Sequence, residues 1–130
     1  MPIVRITIRA GKPPEYKKAL LDGVHHGLVQ AFKIPDHDRI QELHDLAPDH
    51  FEIPSVKTEQ LTIVEVTAFR GRSIEAKKQL YQTIVANLAK NPGIAGDDIV
   101  IIVHEPPLKN WGIRGGKPAS EVNVGFRIDV

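Results

Sequence analysis

A chain of 130 residues, 42% hydrophobic and 25% charged, supports one domain with a single core and little beyond it. The net charge of +1 and the 5% aromatic content exclude the basic stripe and stacking platform of a nucleic-acid binder. Zero cysteines exclude disulfides and thiolate chemistry, and no apolar run nears the ~20 residues of a membrane span or forms a signal-peptide core, so a soluble, cytoplasmic chain is expected.

Residues 2–9, Pro-Ile-Val-Arg-Ile-Thr-Ile-Arg, alternate: Val4, Ile6 and Ile8 face one way, Arg5, Thr7 and Arg9 the other. That is a strand with one buried face. Gly11-Lys12-Pro13-Pro14 ends it and opens a helix, because proline suits a first turn whose N–H groups have no helical acceptor. From Glu15 to about Phe32, Leu20, Val24, Leu28 and Ala31 fall on one helical stripe. Pro35 closes that helix, Asp36-His37-Asp38 turns the chain, and Arg39–His44 reads as a second strand. Residues 45–59 read as irregular connection with at most a short strand. Leu61–Phe69 is the next predicted strand. Ser73 then serves as N-cap of a helix that runs to about Ala89, where Asn91-Pro92-Gly93 stops it. Asp97-Asp98 leads into the apolar run Ile99–Val103. A long loop over residues 109–116 follows Pro106-Pro107, and the pattern ends on a short alternating strand, Val122–Ile128.

These elements repeat. Residues 2–45 moved by sixty positions fall on 62–105 without a gap. Ile3-Val4 meets Ile63-Val64, Gly11 meets Gly71, Lys17-Lys18 meets Lys77-Lys78, and Asp38 and His44 meet Asp98 and His104. A period of this length is one βαβ unit. The expectation is a single α+β domain over residues 1–130, made of pseudo-repeats at about 2–57 and 60–130. Their strands form a four-stranded mixed sheet with both helices on one face, plus short extra strands, through right-handed crossovers. Ile99–Val103 is apolar on both sides, which calls for cover on the far face of the sheet as well. Another copy of the chain is the natural cover, so the fold is expected to depend on oligomerisation, with the final strand a candidate for pairing across the interface.

The copies differ where chemistry is possible. Pro2 faces Thr62 in the alignment; Arg70 and Arg72 face Ala10 and Lys12. If Met1 is trimmed, Pro2 becomes a secondary amine at the head of a strand. An α-amino group titrates near ~8 in the open, and burial or nearby arginine lowers that value, making it a usable base near neutrality. The competing reading is that a small residue at position two signals methionine trimming and nothing else. Arginines two apart at a strand end can fork onto a carboxylate and favour a developing enolate, or they can be a solvated loop.

With its opening Pro-Ile-Val-Arg-Ile-Thr-Ile-Arg, its tandem units and its Asn110-Trp111-Gly112-Ile113-Arg114-Gly115-Gly116 loop, the chain resembles the tautomerase superfamily over essentially its whole length. The loop is similar to the aromatic-Gly-Ile-Gly-Gly turn of 4-oxalocrotonate tautomerase. The fused two-unit length is closer to malonate semialdehyde decarboxylase and the cis-3-chloroacrylic acid dehalogenase relatives. The resemblance implies a homotrimer without cofactors that acts on a small carboxylate-bearing oxo acid through an N-terminal proline, Pro2. It places a catalytic aspartate on Asp38, the family's Arg-X-Arg pair on Arg70 and Arg72, and its pocket tryptophan on Trp111. Asp98 at the position equivalent to Asp38 favours a mere turn role for both, and Trp111 serves equally as interface anchor. Keto–enol tautomerisation is the simplest reaction; decarboxylation or hydration of a 3-oxo acid such as malonate semialdehyde, or a non-catalytic oligomeric binding module, are the alternatives. Because Thr62 has no free amine, a trimer is expected to hold three sites and not six. The six histidines lack the i, i+4 spacing of a zinc helix, no cysteine accompanies them, and no metal site is expected.

Overall fold

A computed structural model describes residues 2–125 and 127–130. Strand β1 (Ile3–Arg9), helix α1 (Pro14–Phe32) and strand β2 (Ile40–Leu46) form the first unit. Strand β3 (Thr62–Thr67), helix α2 (Ile74–Lys90) and strand β4 (Ile99–His104) form the second. The sheet order is β2-β1-β3-β4. The outer pairs β1–β2 and β3–β4 are parallel and the central pair β1–β3 is antiparallel, so the expected mixed sheet forms.

The register carries the repeat into three dimensions. Arg5 lies opposite Glu65, its own repeat equivalent, while Ile3 pairs with Thr67 and Thr7 with Ile63. A pseudo-twofold axis therefore passes between Arg5 and Glu65. Ion pairs obey it too: Lys17 meets Asp45 at 2.8 Å, and the equivalent Lys77 meets Glu105 at 2.6 Å.

One face of the sheet is the core. Val4, Ile6 and Ile8 are 0–2% exposed, and Leu20, Val24 and Leu28 of α1 pack with Leu80, Ile84 and Leu88 of α2 over them. Pro14 occupies the first turn of α1, and Ser73 caps α2 by accepting the Ala76 N–H at 3.1 Å. The helices approach closely because α1 carries glycines at the crossing. A Cβ on Gly27 would stand 2.8 Å from Cγ1 of Ile84. Gly27→Ala is therefore expected to destabilise the fold. Its ~1 kcal/mol gain in helix propensity is outweighed by an overpacking cost of ~1–3 kcal/mol, because Ile84 is fully buried and has no room to yield. Urea unfolding with a lowered midpoint and unchanged slope checks it.

The other face is uncovered in the protomer. Ile40, Val100 and Ile102 are 40–46% exposed there. They sit among Arg5 and two histidine–glutamate pairs, His44–Glu42 at 2.8 Å and His104–Glu65 at 3.2 Å. No helix of the described residues is long and apolar enough to cross a membrane.

The connection after β2 is irregular, as expected, with a 3₁₀ turn at Pro48–His50. The chain departs from expectation near its end. The strand expected over Val122–Ile128, and with it the candidate for cross-interface pairing, is absent among the described residues, Phe126 lying outside them. The cause is local. Oδ1 of Asn123 accepts the Gly125 N–H at 2.9 Å, and Gly125 takes a φ of +84°, so the chain turns where alternation suggested extension. The extra strands lie earlier, in a two-stranded hairpin of β5 (Gly112–Ile113) and β6 (Lys117–Pro118) inside the loop over 109–116 and just past it.

Candidate active site

Pro2 is buried at the head of β1. Ile3 pairs with Ile40 on one side and Thr67 on the other, so one residue earlier the strand sets Pro2 between Arg39 and Ala68. The neighbours of those two residues open onto a cleft of about 440 Å³. Among the described residues it is lined by Pro35, His37, Asp38, Arg39, Ile40, Phe69, Ile113, Arg114, Val124 and Gly125. Three segments meet there: the turn into β2, the residue pair after β3, and the β5–β6 hairpin with the chain that follows. Polar groups gather on residues 37–39 and Arg114, and the remaining side chains are apolar. That division suits a small molecule with a charged end and a carbon skeleton.

Asp38 is half-buried on the cleft wall, its N–H bonded to the Pro35 carbonyl at 3.0 Å. Arg72 stands behind the same wall, only 6% exposed, with Nη1 donating to the Phe69 carbonyl at 2.9 Å. Its guanidinium lies 4.9 Å over the Phe32 ring. Burial pulls the Arg72 pKa below the usual arginine value, while the carboxylates of Glu105 and Asp38 push it back up. The side chain remains a cation, because arginine starts so far above neutrality. Pro2, Asp38 and Arg72 thus converge on one end of the sheet.

Among the expected residues only Asp38 lines the cleft; Pro2, Arg70, Arg72 and Trp111 do not. Arg70 is exposed and contributes no part of the lining. Trp111 is buried at 9% exposure, edge-on to Phe69 with ring centroids 4.8 Å apart, and its Nε1–H donates to the Pro106 carbonyl at 3.2 Å. Phe69 is the wall, and Trp111 supports it from behind. Sequence reasoning passed over Phe69, Arg39 and Arg114. Phe69 and Arg39 each adjoin a residue already singled out, which was the available signal. Among the described residues, no group of three or more His, Cys, Asp or Glu side chains gathers to hold a metal ion.

The equivalent place in the second unit is filled. Asp98 makes the same backbone turn as Asp38, its N–H bonded to the Ala95 carbonyl at 3.0 Å. Its side chain, 2% exposed, is committed to Thr58, accepting the backbone N–H at 2.9 Å and the hydroxyl as well. These bonds hold the Asp98 carboxyl below the usual carboxylate range. Thr62 donates its hydroxyl to the Gln60 carbonyl at 2.8 Å. Lys12, opposite Arg72 in the alignment, lies 5.4 Å over the Tyr16 ring and 3.9 Å from Glu59. Residues 58–60 of the connection plug this position.

Two family models, both described as tautomerase enzyme, match residues 38–114 and residues 2–58. The chain belongs to the tautomerase family. It is 29% identical over 122 residues to the probable tautomerase YrdN of Bacillus subtilis (strain 168), spanning 90% of this chain and 94% of that one. It is 28% identical to FG41 malonate semialdehyde decarboxylase, solved as inhibited by 3-bromopropiolate, with a TM-score of 0.80 over 89% of this chain and 92% of that one. A fused 4-OT solved as a symmetric trimer shares the fold, with 22% identity and a TM-score of 0.79 over 91% and 96% of the two chains. Tautomerase-family membership and the two-unit fold therefore agree.

Proposed function

We propose that the chain is a cofactor-independent tautomerase that uses the nitrogen of Pro2 to move a proton on a small oxo acid. The supporting observation is the burial of Pro2 at the head of β1, beside a cleft walled by Asp38 and backed by the Arg72 cation. With Met1 trimmed, the ring nitrogen carries a lone pair in surroundings that disfavour its protonated form. It takes a proton from the carbon next to a 2-oxo group, and the electron pair of that C–H bond moves into the carbonyl as an enolate. Fixed positive charge lowers the cost of the oxyanion. In this reading Arg72 supplies that charge, Arg70 assists the substrate carboxylate from the rim, and Trp111 holds Phe69 as the apolar wall. The protonated amine then returns the proton to the enolate oxygen, giving the enol, or, where a double bond extends the enolate, to its far carbon, and no cofactor or metal enters.

Assembly as a homotrimer through the exposed sheet face completes the reading. Its support is the apolar and charged character of that face and the trimeric state of the fused 4-OT relative. With one Pro2 per chain, such a trimer carries three sites.

A decarboxylase or hydratase is the second reading, favoured by Asp38 on the cleft wall and by the 28% identity to the FG41 decarboxylase. There the Pro2 nitrogen stays protonated and polarises a 3-oxo group. The bond to the carboxylate breaks, carbon dioxide leaves, and the enolate takes up a proton. Titrating the Pro2 nitrogen by NMR separates the two: a value below about 7 supports the base, one above about 8.5 the acid.

Treatment with 3-bromopropiolate tests both. Mass spectrometry is expected to find Met1 removed and the peptide beginning at Pro2 carrying the reagent. Retained Met1, or a reagent-free N-terminal peptide, would leave a non-catalytic oligomeric module as the answer.

A further inference from the structure

The cleft depends heavily on one short segment. Residues 35–40 supply half of its described lining, and Asp38 and Arg39 are among them. One of the tethers that hold this segment against α1 is His25. That residue is 1% exposed, and its Nε2 lies 2.8 Å from the Asp36 carbonyl oxygen and 3.4 Å from Asp36 Oδ1. A ring nitrogen at that distance from a carbonyl is a donor, which fixes the tautomer or leaves the ring charged. One turn earlier in α1, Asp22 pairs with Arg39.

The second unit shows what the fold requires without a site. Val85 stands where His25 stands, Gly96 where Asp36 stands, Gln82 for Asp22 and Ile99 for Arg39. There the helix meets the turn by apolar packing, a Cβ on Gly96 lying 3.2 Å from Cγ1 of Val85. Both polar tethers belong to the unit that begins with Pro2. A hydrophobic side chain closes the same joint in the other copy, so the fold alone does not explain a buried histidine here.

We propose that His25 is a positioning residue, whose hydrogen bond to the Asp36 carbonyl sets the turn that presents Asp38 and Arg39 to the Pro2 nitrogen. The proposal rests on the reading of Pro2 given above. Small displacements of a reacting group are costly, since ~1 Å of misplacement can reduce a rate ~100-fold.

The test compares His25→Gln, which keeps an N–H of similar reach, with His25→Leu, which keeps the bulk alone. The double variant His25→Val with Asp36→Gly transplants the joint already present in the second unit, so it is expected to fold even where His25→Leu does not. Each full-length chain is followed by thermal unfolding and by the rate at which 3-bromopropiolate modifies Pro2. The expected result is a rate ~10-fold or more below wild type in His25→Leu and the double variant, with His25→Gln restored to within ~3-fold. The slowing should exceed anything the melting temperatures account for. Wild-type rates in the double variant, or equal loss in the Gln and Leu chains, overturn the positioning role while leaving Pro2 in place. A wild-type chain that the reagent does not modify overturns the Pro2 reading and this role together.

Discussion

Replacing Pro2 by alanine is expected to lower turnover of an enolisable 2-oxo acid by about 10²–10⁴-fold while leaving the oligomer and its melting temperature unchanged. The range follows from what the substitution keeps. Alanine at position two still allows methionine trimming and still offers an amine, so a base survives. What goes is the pyrrolidine ring, which blocks rotation about the N–Cα bond and so aims the nitrogen lone pair. A freely turning primary amine spends most of its time off the line to the substrate carbon, and position governs proton-transfer efficiency as much as basicity does. Stability should hold because the β1 pairings start at Ile3, so the strand forms without the ring, and alanine keeps part of the buried carbon at its head. Steady-state rates alongside analytical ultracentrifugation decide it. Full activity in Pro2→Ala would remove the pyrrolidine ring from the mechanism.

Much of this architecture could be read before any coordinates. The alternation of Val4, Ile6 and Ile8 is a strict consequence of a strand with one dry face, and the sixty-residue period forced two equal units. Pairing Arg5 with Glu65 could not be read, because an antiparallel register depends on how two distant strands slide. The site was legible in kind and only partly in detail. Asp38 and Asp98 look alike as letters. They part company because Thr58, forty residues from Asp98 in sequence, bonds the second carboxylate and leaves the first on a cleft wall. Trp111 reads equally as a pocket wall or an interface anchor, and its ring packs edge-on to Phe69, where its N–H finds the Pro106 carbonyl. Buried indoles seek an acceptor, and a sequence pattern does not say where one will be. The strand expected over Val122–Ile128 failed for a comparable reason, since one asparagine side chain redirected the backbone.

Arg72→Met should separate catalysis from stability more cleanly than any other change at this site. A buried guanidinium carries a large desolvation cost, and an apolar residue of similar length removes that cost along with the charge. The Phe69 carbonyl loses its 2.9 Å partner, a penalty of about 1–3 kcal/mol, and the stacking over Phe32 becomes plain hydrophobic contact. These terms oppose each other, so the melting temperature should move little. The rate should not be spared. If Arg72 supplies the fixed charge that lowers the cost of the enolate, its loss is worth about 10²–10³-fold in kcat, since no solvent reorganisation can replace a cation held in place at 6% exposure. Arg72→Lys should fall between the two. A single ammonium keeps the charge, but it cannot lie flat on Phe32 while bonding the Phe69 carbonyl. Measuring kcat and unfolding on the three chains reads the separation directly. A methionine chain that keeps wild-type kcat would reduce Arg72 to a brace for Phe69. One that unfolds early in step with its lost rate would make it a packing residue only.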